Sequence, residues 1–506
     1  MVWYIYSDCF LLNNVKQRNF IMLLFLGGIA VLVVGYFTYG KLVESVLGPD
    51  DRPTPAVKNP DGVDYVTLPH WKNMLIQLLN IAGIGPVIGV ILGIKFGTIV
   101  FVILPIGNLI AGATHDMIAG MMSLRNNGAN LTTLVKDNLG KTYYHIFSWF
   151  MVVLLLLVVA VFVNIPANLI SGLIPGEWFW YAVVAITIYY VVAALFPVDK
   201  IIGSIYPFFG GLLIVSTLAI FAVLVWEGIK DPALLQESEA FRSQMFTAEK
   251  NQPILPMLFV TIACGIISGF HATQSPIVAR TMKTERQARS TFYGMMVAEG
   301  IIGMIWAGAG LAIYNLVPEY MQVGATKVLS HITTHFLGSV AGTVTVLGVV
   351  VLAITSGDTA LRSTRMALGE MLHIDQKPIV NRLLLCGAML VVVAALLWWS
   401  NLSAKTFGLL WNYFSWGNQV LAVTTLLAGA VYLLRNGKNC LISLIPGLFM
   451  LFIVLTYILW ISPAHGGPVG VGLNLKIAYL ISIVLVILTA AVIWLRGNKL
   501  RKIEKK

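Results

Sequence analysis

Two apolar segments of this 506-residue chain are each interrupted near the middle by a short run that contains glycine and proline. The first run is Gly83-Ile84-Gly85-Pro86, and the second extends from Gly269 to Pro276 with the sequence GFHATQSP. A lipid-facing backbone cannot leave N–H and C=O groups unpaired, so breaks at membrane depth persist only where they are buried or line a polar cavity. Matching pairs of interrupted segments are typical of secondary transporters, and we expect both breaks to lie at a substrate site.

The prolines suggest how each break could bind an anion. We predict that a new half-helix starts at Pro86 and another at Pro276, because the missing N–H of proline costs nothing in a first turn. Ser275 is the predicted N-cap of the second half-helix. Helix N-termini carry unpaired N–H donors and partial positive charge, so we predict a small carboxylate-bearing substrate. The predicted substrate-binding residues are Gly83, Gly85, Pro86, Gly269, His271, Thr273, Gln274 and Ser275. The alternative is that both prolines only kink packed helices.

Ionisable residues within apolar spans are functional candidates, because a charge inside the membrane is costly. They are His115, Asp116, His271 and Asp358. His271 lies in the second break, where it could carry a coupling proton or pair with a substrate carboxylate, although a structural histidine is the alternative. His115 and Asp116 are expected toward the cytoplasmic end of their span, in packing or gating.

A third polar run, Thr355-Ser356-Gly357-Asp358-Thr359, is predicted to end an apolar span. Its hydroxyl groups and backbone carbonyls from the first break could form an oxygen cage for a cation. The predicted coupling-ion residues are Ala82, Gly85, Thr355, Ser356, His271 and Asp358, and the ion is H⁺ or Na⁺. The alternative is that the run caps a helix at the cytoplasmic surface. No cofactor and no resident metal are expected.

Composition defines the class: 58% of the residues are hydrophobic and only 11% are charged. We predict an all-α polytopic membrane protein with about thirteen spans. Their centres lie near Leu32, Pro86, Ile103, Leu155, Ala185, Ile214, Thr261, Met304, Val349, Val391, Ala422, Phe452 and Val484.

The number of spans between the two breaks predicts an architecture like that of the leucine transporter, with two inverted five-helix repeats whose first and sixth core helices are discontinuous. The first repeat would cover residues 73–226 and the second 255–434. One extra span, 22–40, would precede them, and two C-terminal spans, 438–495, would follow before a basic tail, 496–506.

The net charge of +11 does not indicate nucleic-acid binding, because the basic residues cluster in alternate loops. The positive-inside rule places those loops, with Arg125, Arg280 and Arg362 among them, and the C-terminal tail in the cytoplasm. Lys16 and Arg18 contradict this alternation, so we hypothesise that translation starts at Met22 and that residues 1–21 are a non-native extension.

Other function classes find little support. A membrane enzyme or redox protein using His115, Asp116 and His271 is a competing hypothesis, but their spacing is not that of metal ligands. The four cysteines are scattered, and no GxxxxGK[ST] run suggests use of ATP. A transport-inactive nutrient sensor is a third hypothesis, although no signalling domain is visible.

Several ordered motifs resemble the carbon starvation protein A family. They are Asp51-Arg-Pro-Thr-Pro55 with Asp61-Gly-Val-Asp-Tyr65, Ile81–Pro86, Gly112–Asp116, Ser268–Pro276 and Thr355–Thr359. The resemblance covers most of the chain from Met22 onward and is greatest to the shorter branch of the family.

The resemblance implies a bacterial inner-membrane permease of the carbon starvation response, which imports peptides or, with protons, pyruvate. An amino-acid permease or a permease for other organic anions is the alternative. The partners are then the small-molecule substrate and the lipid bilayer, and the oligomeric state is left open.

Overall fold

The computed structural model describes residues 14–62, 65–195, 198–376 and 378–504, and they form an all-α membrane protein. The main helices are α1 (Asn14–Phe37), α2 (Tyr39–Leu47), α3 (His70–Ile81), α4 (Ile84–Gly93), α5 (Val100–Gly107), α6 (Ala113–Arg125), α7 (Leu131–Leu139), α8 (Lys141–Leu173), α9 (Phe179–Leu195), α10 (Val198–Lys230), α11 (Phe259–Ile266), α12 (Gly269–Ala279), α13 (Gly294–Leu316), α14 (Ala325–Met371), α15 (Ile379–Ser400), α16 (Ala404–Arg435), α17 (Leu441–Trp460) and α18 (Leu475–Glu504).

Shorter turns connect these helices. The α-helical ones are Pro55–Lys58 and Glu239–Gln244, the 3₁₀ turns are Ile94–Phe96, Pro232–Leu235, Ala248–Lys250, Glu285–Gln287, Pro318–Gln322 and Pro463–His465, and the π-helical turns are Asn108–Gly112, Ile254–Leu258 and Arg289–Tyr293. Within the described ranges, 11 helices are long and apolar enough to cross a membrane, and the bent pair α3 and α4 adds a twelfth. Each predicted span centre falls within one of the helices, including the shorter apolar helix α9.

The first break is where the sequence predicts it. Helix α3 ends at Ile81, Ala82 and Gly83 leave the helical conformation, and α4 begins at Ile84 after a bend of 47°. Pro86 occupies the third position of α4 rather than the first, so the prediction that it opens the half-helix is wrong in register. The third residue of a helix also lacks an intrahelical N–H partner, which is why proline is tolerated there.

The second break lies earlier than predicted. Ile267 and Ser268 are extended, and α12 then runs from Gly269 to Ala279 with Pro276 inside it. Ser275 is therefore not the N-cap, which is Ser268, and Pro276 does not open the half-helix. Buried transmembrane helices tolerate an internal proline where neighbouring groups satisfy the freed backbone.

The polar run 355–359 does not end a helix. Helix α14 continues past it to Met371, and its single non-helical residue is Gly338, whose φ of 77° is accessible to glycine. The hydroxyl groups bond within the helix, because Thr355 Oγ1 donates to the Leu352 carbonyl and Thr359 Oγ1 to that of Ser356. Both the predicted end of the span and the alternative of a surface cap are wrong, since back-bonded hydroxyls are compatible with a helix interior.

Glycines bring the two broken segments into contact. A Cβ atom on Gly85 would lie 3.2 Å from Cys264 Cβ, and one on Gly89 would lie 3.0 Å from the Thr261 carbonyl oxygen. Glycines spaced four residues apart let membrane helices approach closely. As a result α4 packs directly against α11, and the two breaks lie side by side.

Helices also lie at both ends of the described part. Helix α1 includes residues 14–21, and residues 1–13 lie outside the described part. Helix α18 reaches Glu504 and includes most of the predicted basic tail. Its side chains Leu480, Ile487 and Leu495 are 63–69% exposed, as expected of a face in contact with lipid.

Candidate functional site

Helix α14 contacts the first break through Ser356. Its hydroxyl group lies 3.5 Å from the Leu79 carbonyl oxygen, and a Cβ atom on Gly83 would lie 2.8 Å from Ser356 Oγ. Gly83 is thus the position that lets the hydroxyl approach the unwound backbone. The structure thus brings the Ser356 hydroxyl next to the unwound backbone of the first break.

Three other residues predicted to bind the coupling ion have different neighbours. Thr355 lines an apolar groove with Ile170 and Tyr189, between α8, α9 and α14. Gly85 faces Cys264 on α11. Asp358 is fully buried two residues after Ser356, so its side chain leaves α14 on nearly the opposite side. The side chains of Thr355 and Asp358 are therefore directed away from the contact between Ser356 and the first break.

Asn418, on α16, caps the second break. Its Oδ1 accepts a hydrogen bond of 2.7 Å from the Phe270 N–H, and its Nδ2 donates 2.8 Å to Ser268 Oγ. A Cβ atom on Gly269 would overlap the backbone of Asn418 and Ala422, so only glycine allows α12 to start this close to α16. Asn418 is not among the residues predicted from the sequence, although the adjacent amides Asn418 and Gln419 in an apolar segment are a visible signal.

Replacing Asn418 with alanine should destabilise the protein. The substitution removes the acceptor of a buried N–H, and such an unsatisfied donor costs about 1–3 kcal/mol. Thermal unfolding in detergent micelles measures the effect, with Asn412→Ala as the matched control because Asn412 lines a cavity on the same helix. Equal unfolding temperatures for the two variants would contradict the capping role.

Four titratable side chains meet beside the second break, and each is at most 1% exposed. Asp116 Oδ1 lies 2.8 Å from His115 Nδ1, and Asp116 Oδ2 lies 3.1 Å from His271 Nδ1. The other ring nitrogen, His271 Nε2, faces Glu299 Oε2 of α13 at 3.8 Å. A buried chain of carboxylates and imidazoles of this kind is suited to holding and passing a proton.

His115 and Asp116, which were expected toward the cytoplasmic end of their span, lie beside the second break. A π-helical turn at Asn108–Gly112 precedes them, and a Cβ atom on Gly112 would overlap the Ile266 carbonyl oxygen. This close approach sets the start of α6 against the end of α11. Asp116 is thereby directed at His271.

Glu299 was missed by the sequence analysis. It lies in the apolar helix α13, and the rule that selected His115 and Asp116 applies to it equally.

The remaining predicted substrate residues follow His271 along α12. Gln274 Nε2 donates to Thr273 Oγ1 at 3.0 Å and to Ser363 Oγ at 3.3 Å, and Ser363 Oγ donates to the Thr273 carbonyl. Ser275 Oγ donates to the His271 carbonyl within the helix. Thr273 and Gln274 therefore contact α14, whereas Ser275 bonds only to its own helix in the described structure.

A cavity of about 160 Å³ opens on one side of the breaks. Its lining includes Leu92 of α4, Thr261 of α11, and Asn412 and Ser415 of α16. Thr261 lies one turn before Cys264, the residue that Gly85 contacts just after the first break. In the described residues no three His, Cys, Asp or Glu side chains converge in a way that could hold a metal ion.

The opposite side is closed by ion pairs. Glu285 is 1% exposed and accepts a 2.9 Å bond from Arg125 Nη2. Arg52 lies 3.7 Å from the same carboxylate, and Arg280 Nε donates to the Gly128 carbonyl at 2.9 Å. The Arg52 guanidinium also lowers the pKa of Asp50 well below its ordinary value, because it donates hydrogen bonds to that carboxylate.

Comparison with solved structures identifies a similar fold. A manganese transporter of Eremococcus coleocola aligns over 88% of this chain and 99% of its own, with a TM-score of 0.55 and 14% sequence identity. At that identity the likeness concerns the fold alone.

Curated relatives are more informative. The peptide transporter CstA of Bacillus subtilis is 23% identical over 85% of this chain and 89% of its own length. The pyruvate/proton symporter BtsT of Escherichia coli is 25% identical over 55% of this chain, and the match spans 47% of that protein.

The sequence model of the family described as Carbon starvation protein CstA matches residues 20–184, 176–315 and 315–457. These matches include both breaks, all four residues of the buried titratable cluster and the polar run of α14. The chain is a member of the CstA carbon starvation protein family.

Proposed function

We propose that this protein is a cation-coupled symporter that imports small carboxylate-bearing nutrients, namely peptides or pyruvate. The observation that carries this proposal is the pair of broken helices, packed side by side, with a buried cluster of titratable groups at the second break. Irregular backbone inside a membrane protein is tolerated where it forms a site, and intramembrane titratable groups are typical of ion-coupled transport. The printed names of the relatives, a peptide transporter and a pyruvate/proton symporter, agree with both features.

The core would consist of two inverted five-helix repeats. Helices α3 and α4 together form the first core span and α11 and α12 the sixth, with four apolar spans between them. An odd number of helices per repeat gives the repeats opposite topology. On this arrangement α1 and α2 precede the core and α17 and α18 follow it. The similar fold of the manganese transporter is consistent with this reading.

The substrate carboxylate would bind at the N-terminus of α4. The first-turn amides of Ile84 and Gly85 have no intrahelical acceptors, and the partial positive charge of the helix end favours an anion. Asn418 already satisfies one amide of α12, whereas no side chain within the described residues caps the N-terminus of α4. Thr273, Gln274 and His271 supply the polar groups for the rest of the substrate.

Two places could bind the coupling cation. Ser356 with the carbonyls around Leu79 and Ala82 provides oxygen atoms for Na⁺. His271 with Asp116 provides a proton site. Access would alternate around the breaks, from the cavity on one side and past the Arg125–Glu285 ion pair on the other.

The protein would lie in a bacterial inner membrane and serve in the carbon starvation response. The basic loops would face the cytoplasm, together with the C-terminus. The cavity near Thr261 would then open outward, and the ion pairs of Glu285 would close the cytoplasmic side.

Uptake by purified protein in liposomes tests the proposal. Labelled pyruvate, a labelled dipeptide and a labelled amino acid are offered under an imposed H⁺ or Na⁺ gradient, with protein-free liposomes as the control. We expect pyruvate or the dipeptide to accumulate under one gradient only. Accumulation of the amino acid alone would favour the alternative permease, and no accumulation of any compound would favour a sensor.

A further inference from the structure

Glu299 is a buried carboxyl group on an apolar helix. It is fully buried within α13, and neither of its carboxyl oxygens takes part in a hydrogen bond within the described part of the protein. A buried charge without a partner is costly, so such a group needs a proton or an opposite charge beside it. The buried polar groups of structural networks are normally paired, and an unpaired acid suggests a functional site.

The groups around Glu299 come from three neighbouring helices. They are His271 on α12, Asp116 with His115 on α6, and the Cys264 thiol on α11. The Asn108 amide lies against the adjacent Gly300, but it is not titratable. Among the described residues, His271 Nε2 is the basic atom closest to the Glu299 carboxyl group, at 3.8 Å.

The hydrogen bonds of Asp116 determine which nitrogen of His271 can accept a proton. A carboxylate can only accept hydrogen bonds, so with Asp116 ionised the Nδ1 atoms of His115 and His271 are the donors, and each neutral ring carries its proton on Nδ1. The lone pair of His271 is then on Nε2, directed at Glu299. One proton can reside on Glu299 or on His271 Nε2 without any change in the net charge of the cluster.

Without that proton the cluster would hold two carboxylates, Asp116 and Glu299, and no cation. Two buried negative charges are strongly unfavourable at low dielectric, and one bound proton neutralises one of them. The free-energy cost of excluding water from the site around the breaks is therefore lower when the proton is bound. His271 is the third residue of α12, and the start of α12 forms the second break. A proton bound in the cluster therefore acts directly on that helix.

From this geometry we infer that Glu299 and His271 share the coupling proton, with Asp116 and His115 orienting His271. The inference rests on the proposed symport function, which it deepens by naming the cation as H⁺ and Glu299 as its carrier. Proton binding from one side and release to the other would accompany the movement of α12.

An infrared measurement tests the proton site without any substrate. Protonated carboxyl groups absorb apart from carboxylates, so wild type in lipid nanodiscs at neutral pH should show a carboxyl band that Glu299→Gln lacks. The matched control is Glu249→Gln, because Glu249 is exposed in the 3₁₀ turn Ala248–Lys250. Loss of the band in Glu299→Gln alone supports the inference, and identical spectra for wild type and Glu299→Gln would overturn it.

A transport measurement tests the coupling. With labelled pyruvate in liposomes, Glu299→Gln should retain exchange between equal concentrations but lose accumulation driven by a proton gradient, whereas Glu249→Gln should retain both. Normal proton-driven accumulation by Glu299→Gln would overturn the assignment. So would loss of exchange in a variant of wild-type thermal stability, because Glu299 would then serve translocation itself. If wild type moves no pyruvate, the proposed substrate fails while the infrared result still decides the proton site.

Discussion

A His271→Ala variant is expected to reach the membrane in normal amounts and to accumulate no substrate above the level of protein-free liposomes. The substitution removes one of the two imidazole donors to Asp116 and the base that faces Glu299. Loss of one donor to a buried acceptor costs about 1–3 kcal/mol, which a protein of this size can survive. The loss of activity should therefore exceed any loss of stability. Gradient-driven uptake by purified protein measures the first, and thermal unfolding measures the second.

The matched control is His145→Ala, because His145 is an exposed histidine of α8. It should transport as wild type does. His271→Gln is a useful second variant, since its amide can still donate to Asp116 but cannot accept a proton. It should resemble His271→Ala in transport while unfolding close to the wild-type temperature. Normal uptake by either His271 variant would contradict the proposal that the transport site includes the second break.

Removing the carboxylate of Glu285 should have the largest effect on stability. Glu285 accepts hydrogen bonds from Arg125, whose side chain is 9% exposed, and lies 3.7 Å from Arg52. Breaking a buried ion pair by deleting one partner costs about 3–5 kcal/mol, because the other charge is left uncompensated. We expect Glu285→Ala to unfold at a markedly lower temperature in detergent.

A paired substitution separates the charge effect from packing. Arg125→Met combined with Glu285→Met removes both charges, and the double variant should be more stable than Glu285→Ala. The exposed pair Arg286 and Asp51 provides the control, since exposed ion pairs contribute about 0–1 kcal/mol. Asp51→Ala should therefore unfold nearly as wild type does. Similar losses of stability for Glu285→Ala and Asp51→Ala would contradict the role of the buried pair.

The apolar spans were predictable because their signal is long and redundant. A run of about 20 apolar residues is rarely anything but a membrane helix, and each predicted span centre lies within a helix. The first break was predicted nearly to the residue, because Gly83 combines with a proline three residues later. The resemblance to the carbon starvation family rested on ordered motifs and is confirmed by the family match.

The register of the second break depends on a residue far away in the sequence. Asn418 supplies the acceptor that allows the backbone to leave the helix before Gly269, and it follows the break by about 150 positions. Local rules for proline and serine pointed to Pro276 and Ser275 instead. The continuity of α14 through Thr355–Thr359 has a similar cause, because hydroxyl groups can bond within a helix as readily as cap one.

The titratable cluster was predicted only in part. Asp116 and His271 were both selected from the sequence, but nothing local shows that the π-helical turn at Asn108–Gly112 brings α6 against α12. Glu299 could have been found, since it is an acid within an apolar helix. Its orientation toward His271 depends on how α13 packs, which is a property of the whole bundle.

The most direct test of the account is a structure of the protein in lipid nanodiscs with its transported substrate bound. We predict that the substrate carboxylate lies within about 3 Å of the Ile84 and Gly85 amides at the start of α4. The rest of the molecule should then lie beside His271 and Thr273, next to the second break. Substrate density away from both breaks, for example in the apolar groove that Thr355 lines, would contradict the account.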